Sequence, residues 1–360
     1  MITGHTLSCG CHIGALKSGL WDFWFNMPDA LMEQPRQRDI ATGAFGSDGP
    51  ATDRRSFAGF VLASLTRGAA LVVLLALGGI GVVLVHGAWP ALSTFGPNLF
   101  FTNIWNPVTG RFGALAALYG TLVTSLIAML IAVPLAIGVA IFLTELCPAR
   151  LRRPLGMAIE LLAGVPSIVF GFWGLFTLAP FLQTHVQPSI IDAFDGVPLL
   201  SNLFAGPPYG IGILTASLVL AIMVLPIMAA ILRDVFETTP AVLKEAAYGV
   251  GATTWEVLRR VVIPYTSSGV IGAGILGLGR ALGETMAVTF VIGNSHRISE
   301  SLLAPGTTIS AAIANEFSEA TGSLYSSSLI ALGLLLFAIT FVILAIARLL
   351  LLRMNRGQQR

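Results

Sequence analysis

Residues Glu245 to Pro264 read EAAYGVGATTWEVLRRVVIP, a polar island between two long apolar stretches. Val242, Leu243, Ala246 and Ala247 fall on one face of a short helix, which Gly249 and Gly251 end because glycine is a poor helix former. Thr253 or Thr254 is then placed to N-cap a second helix, in which Val257, Leu258 and Val261 recur opposite Glu256, Arg259 and Arg260. Two short amphipathic helices around a glycine break make a lever. An amphipathic segment resting on lipid headgroups would share the faces, but not the full spacing from Glu245 through Gly251 to Pro264.

Outward from this loop, six apolar segments satisfy the length of about 20 residues that a helix needs to cross a bilayer. They span roughly 66–86, 116–143, 157–181, 210–232, 265–293 and 326–350. Pro134, Pro166 and Pro226 fall inside three of them, where membrane helices tolerate a kink. With 55% hydrophobic and 11% charged residues and a mean hydropathy of +0.83, the 360-residue chain carries far more apolar character than a soluble core requires. The expected class is all-α, a polytopic membrane protein of six transmembrane helices; no ten-residue alternation of the β-barrel kind occurs.

The charge distribution predicts orientation. One set of loops and tails holds fourteen Lys and Arg (Arg54, Arg55, Arg67, Arg150, Arg152, Arg153, Arg233, Lys244, Arg259, Arg260, Arg348, Arg353, Arg356 and Arg360), against Arg111 and Arg297 in the other. The positive-inside rule then places both termini and the Glu245–Pro264 loop in the cytoplasm. The domain expectation is a disordered tail over residues 1–56, a permease domain over 57–352 containing the loop 233–264, and a basic tail over 353–360. Met27 and Met32 precede the polar run Glu33–Arg55, so either is an expected alternative start. The Trp21–Phe25 patch is too short, and too charged at Asp22, for a signal peptide.

Several chemistries are excluded. No glycine is followed by lysine and the lysines are Lys17 and Lys244, so the chain has no phosphate-binding GxxxxGK[ST] loop and does not itself hydrolyse ATP. Cys9, Cys11 and Cys147 cannot build a disulfide framework, and Cys9-Gly10-Cys11-His12 lacks a second ligand pair. No metal or cofactor is expected. Gly272 to Gly277 fits GxGxxG but follows no strand, so Gly269, Gly272, Gly277, Gly279 and Gly283 are expected to let helices approach closely.

The fifth segment contains Arg280, with Glu284 four residues on and Thr285 beside it. An arginine at mid-bilayer costs roughly 2.5–3.5 kcal/mol on insertion scales, so it must face protein or water. On a continuous helix the two charges share a face and can pair. One expectation is a buried pair that fixes packing; the other, favoured here, is that Arg280, Glu284 and Thr285 line a pathway. There the guanidinium offers a passing oxyanion two charge-assisted hydrogen bonds, and Glu284 keeps the site from becoming a trap.

The Glu245, Ala246, Ala247, Gly251 and Pro264 pattern resembles the EAA loop of permease subunits of binding-protein-dependent ABC importers. Val261 stands where those permeases generally carry isoleucine, a conservative change. The runs GLGRALGETMAVTFVIGN, FGALAALYGTLVTSLIAMLIAVPLAIGVAIFLTEL (Phe112–Leu146) and ELLAGVPSIVFGFWGLFTLAPFL (Glu160–Leu182) are similar to the permeases of phosphate-specific ABC importers, over residues 60–350. The resemblance implies a type I importer bundle and a coupling loop seated in a cytoplasmic ATPase. It implies phosphate passage at Arg280 and Glu284. The partners it implies are a second permease (PstA-like), an ATPase dimer (PstB-like) and a periplasmic phosphate-binding protein (PstS-like). Another oxyanion, sulfate or molybdate, and an ATP-independent secondary transporter are the alternative expectations.

Overall fold

The computed structural model describes residues 52–358 apart from 195, 198 and 199. Of the tail expected over 1–56, positions 1–51 lie outside the described residues, as do Cys9, Cys11 and the candidate starts, while positions 52–56 belong to helix α1 (Thr52–Phe95). Residues 1–68 and 69–360 form separate compact units, the described part of the first being the opening of α1.

The described chain is helical, with an isolated bridge between Asn106 and Arg111. After α1 come α2 (Leu115–Ile141, prolonged by a π-helical turn, Phe142–Leu146), α3 (Ala149–Ala163) and α4 (Ser167–Trp173, prolonged by π-helical turns). Next are α5 (Ile213–Glu237), α6 (Ala241–Gly249), α7 (Thr254–Val257) and α8 (Ser267–Gly283). The chain closes with α9 (Met286–Val291), α10 (Ile309–Glu316) and α11 (Ser323–Gln358). Among the described residues five helices are long and apolar enough to cross a membrane. A sixth crossing arises when Thr254–Tyr265 and Ser267–Gly283, joined at a 71° bend, count as one.

Helix α5 is the axis of the bundle. Its Val219, Leu220, Met223, Val224, Met228 and Leu232 are almost wholly buried, and α2 meets them with Ala128, Ala132, Ala136 and Ala140, all at 0% exposure. An alanine every four residues builds a smooth stripe on one helix face, so the two backbones approach closely. Helix α8 closes on α5 by the same means: a Cβ on Gly269 would lie 2.5 Å from Val235, and one on Gly277 2.5 Å from the Met228 sulfur. Gly279 faces Leu344 at ordinary contact distance, whereas Gly272 and Gly283 face open space and make no such approach. Further along, Ser327 of α11 donates to the Gly87 carbonyl (2.9 Å) and accepts from the Ala91 amide (3.0 Å), tying α1 to α11.

Two expected spans differ in the structure. Segment 157–181 is not one helix: α3 ends at Ala163 and α4 starts at Ser167, with Pro166 extended between them (φ −58°, ψ 137°). Proline has no N–H to give and pushes the preceding residue out of the helical region, so the break falls there. Pro134 and Pro226 do sit inside α2 and α5. Segment 265–293 is likewise discontinuous. Helix α8 stops at Gly283, Glu284 is extended (φ −68°, ψ 129°), and α9 restarts at Met286. Gly293 (φ +91°) and Asn294 (φ +52°) then turn the chain back toward α10.

Candidate functional site

Two neighbourhoods carry the candidate residues. The first is the break between α8 and α9. The pairing expected of Arg280 and Glu284 is not formed, because the helix ends one residue before Glu284 and the four-residue spacing no longer puts both side chains on one face. Arg280 is exposed in the last turn of α8, where a cation complements the helix dipole, and no ion pair joins it among the described residues. Glu284 turns inward to 9% exposure. Its carboxylate accepts from the Ala287 amide (3.3 Å), and its carbonyl accepts from the Ser310 hydroxyl of α10 (3.1 Å). Half-buried Thr285 donates to the Gly283 carbonyl (3.3 Å), and Thr289 donates to the Thr285 carbonyl (2.7 Å). A break at membrane depth is tolerated only where the freed backbone groups are buried in protein or line a cavity. Hydroxyls satisfy several of them here, and the guanidinium has no ion pair among the described residues.

Helix α10 enters this neighbourhood from behind. Thr308 caps it by accepting from the Ala311 amide (3.2 Å), Thr121 of α2 accepts from the Ile309 amide (2.9 Å), and a Cβ on Gly120 would overlap the Thr307 carbonyl oxygen. At the far end of α10, the Glu316 carboxylate gathers Trp105 Nε1 (2.7 Å), Tyr325 Oη (2.6 Å) and His296 Nε2 (2.5 Å). Burial pushes the Glu316 carboxyl up, but the hydrogen bonds from His296, Tyr325 and Trp105 outweigh it and hold the group below its ordinary value. Sequence reasoning missed Ser310 and this cluster. The only trace was a lone glutamate ending the apolar run ISAAIANE.

The second neighbourhood is the Glu245–Pro264 loop. Helix α6 ends at Gly249 and Gly251 takes φ +88°, the left-handed conformation that favours glycine. Thr253 caps α7 in a reciprocal capping box: it accepts from the Glu256 amide, and the Glu256 carboxylate accepts from the Thr253 amide. Val257 and Leu258 are buried as expected and Val261 is partly so, but Val262 is fully buried too. The π-helical turn Leu258–Val262 inserts an extra residue per turn and brings Val262 inward. Lys244 pairs with Glu145 at the end of α2 (2.5 Å), which seats α6 on the bundle. Arg233 pairs with Glu160 of α3 (2.7 Å) at the same basic end.

Among the described residues nothing covers the outer face of the loop. Val242 (72% exposed), Val250 (87%) and Trp255 (64%) stand open, Leu243 and Tyr248 less so, with Glu245, Ala246 and Pro264 also exposed and Ala247 partly packed. The expected face of α6, Val242, Leu243 and Ala246, is therefore exposed among the described residues.

These features define a membrane transport subunit, and the chain belongs to the family described as binding-protein-dependent transport system inner membrane component, whose model matches residues 132–356. Within that family its similarity is to the phosphate transport system permease proteins PstC. It is 64% identical to that of Mesorhizobium japonicum over 316 residues, covering 88% of this chain and 97% of the relative. It is 56% identical to that of Pasteurella multocida, covering 82% and 92%. The probable PstC of Methanocaldococcus jannaschii is 39% identical, with 71% of this chain and 82% of the relative covered. Two solved structures share the fold at low identity. One is a chain of the bacterial alginate ABC transporter in complex with an alginate-bound periplasmic protein (TM-score 0.52, 15% identical, 82% of this chain and 94% of that one). The other is from the inward-facing MetNI methionine ABC transporter (TM-score 0.50, 14% identical, 71% and 100%).

Proposed function

We infer that this chain is the PstC-type permease subunit of a phosphate ABC importer and supplies part of the route by which inorganic phosphate crosses the inner membrane. The observation that carries this is the 64% identity along nearly the whole length of a phosphate transport permease. Its partners are a PstA-like second permease, a PstB-like ATPase dimer and a PstS-like binding protein. The permease domain is 57–352 with the coupling loop at 233–264, and residues 353–360 form a basic tail. Lys and Arg crowd the end that carries α6 and α7, which supports a cytoplasmic position for that end and for both termini. The uncovered apolar face of α6 and α7 is chemically suited to a groove of the ATPase, with Glu245, Ala246, Ala247, Gly251 and Pro264 setting the shape of the lever. Arg280, Glu284 and Thr285 belong to the pathway. An exposed arginine in a membrane-depth helix is costly against lipid, which favours water or a second permease opposite it.

Phosphate uptake in cells deleted for this chain and complemented with it tests the reading. Restored uptake of phosphate but not of sulfate or molybdate is expected. Restoration of another oxyanion would replace the substrate, and uptake independent of the ATPase would replace the class.

A further inference from the structure

Helix α10 is hydrogen-bonded at both ends to parts of the molecule far apart in sequence. Near its start, Ser310 donates to the Glu284 carbonyl at the break (3.1 Å). At its end, Glu316 binds Trp105 of the loop before α2, His296 of the return loop and Tyr325 at the start of α11. Trp105 stacks on His296 (centroids 5.2 Å, 9°), and Phe112 stacks on Tyr325 (5.2 Å, 15°), so the donors are themselves held. The Glu316 and His296 side chains are 18% and 17% exposed. A carboxylate that far out of water is tolerated only with its acceptor sites filled.

We propose that Glu316 is a positioning residue for transport: by gathering three segments on one carboxylate it fixes α10, and through Ser310 on the same helix it sets the backbone at Glu284. The six helical steps from Ser310 to Glu316 make a rod of about 9 Å at the helical rise. With its far end clamped, the rod cannot rotate, and the Glu284 carbonyl is held where the break needs it. With the clamp released, the return loop from Gly293 to Thr308 loses its His296 anchor, and the rod can turn about the contacts at its start, the Ile309 amide to Thr121 among them. The purpose assigned to this linkage rests on the break being part of the pathway. The mechanical linkage does not.

The test is a double-mutant cycle on Glu316→Gln and Ser310→Ala in the whole importer, reconstituted in proteoliposomes with its partner subunits and binding protein. Each single substitution is expected to lower the maximal phosphate uptake rate about tenfold, a coupling of ~1.4 kcal/mol, and to leave the half-saturating phosphate concentration unchanged. The double variant should fall no further than the worse single. Glu316→Asp should recover part of the rate. Amide hydrogen exchange on the same complexes reads the linkage without transport: segment 284–291 should exchange faster in Glu316→Gln than in the unaltered protein, and this acceleration should vanish when Ser310 is already alanine. Additive rate losses, or unaltered exchange over 284–291, would overturn the proposal. Should Glu316→Gln fail to assemble, Tyr325→Phe removes one of the three hydrogen bonds and should give a smaller effect of the same kind; no effect on exchange would again overturn it. If the unaltered complex moves no phosphate, the proposed function fails, and the exchange cycle alone decides the linkage.

Discussion

Arg280 ends α8 with its guanidinium at the surface of the chain and no ion pair among the described residues, so removing its charge costs little folding energy. Arg280→Gln is expected to leave membrane abundance unchanged while cutting phosphate uptake by roughly 10–100-fold, the equivalent of the ~1.5–3 kcal/mol of a hydrogen bond to a charged group. Arg280→Lys keeps the charge but loses the fork and should recover only part. Immunoblots of membranes beside uptake rates check both. A second outcome concerns acid. The Glu316 carboxyl is held below its ordinary value of 4.5, so its contribution to stability is complete above 4.5 and drains away as pH falls through the depressed value. In detergent melts, the stability gap between the unaltered protein and Glu316→Gln should therefore narrow on acidification below about 4.5, and a gap that stays constant counts against the cluster. Both charges of the Arg280–Glu284 neighbourhood were legible in the sequence as charges out of place. Their geometry was not, since the pairing argument assumed a helix that Glu284 itself leaves.

At the scale of elements, the glycine of the described chain with least room for a side chain is Gly120 of α2, against the residue preceding the α10 cap. A methyl on Gly120 would occupy the place of the Thr307 carbonyl oxygen, and that neighbour is backbone with nowhere to swing. Gly120→Ala should destabilise the bundle by about 1–3 kcal/mol or more and lower the melting temperature of the purified subunit. By contrast, Gly251→Ala meets open space and pays only for the left-handed backbone. Element existence was readable from runs of apolar residues, because six stretches of membrane length leave few alternatives. Continuity was not. A long hydrophobic run looks the same whether it crosses in one helix or breaks, as it does at Pro166 and at Glu284, because side-chain hydropathy does not record where the backbone hydrogen bonds stop. The sequence offered Thr253 or Thr254 as the N-cap but not the reciprocal bond from Glu256 that selects Thr253, and the π-helical turn that buries Val262 left no sequence mark.

For the molecule as a whole, one end is basic and bears an apolar bracket left exposed by the described residues. Val250→Asp places a charge on a side chain 87% exposed in this chain, so the subunit should fold and insert normally. Co-purification of the ATPase should nevertheless fall sharply, and ATPase recovery at the unaltered level would remove the docking role. The sequence disclosed the bracket through spacing alone, but could not show that Lys244 and Glu145 rivet it to α2, because those residues stand 99 positions apart.

Beyond that rivet the chain turns through 71° at Thr266. Thr266 donates its hydroxyl to the Val262 carbonyl (2.7 Å), a back-bond of the kind that bends helices, and it is nearly sealed from solvent, so the corner is a packed one. On the proposed coupling role, a thrust on the segment before the corner would reappear as motion in another direction after it, as in a crankshaft. In that role, the arm from Thr254 to Tyr265 would set the stroke delivered to α8, the helix that carries Arg280.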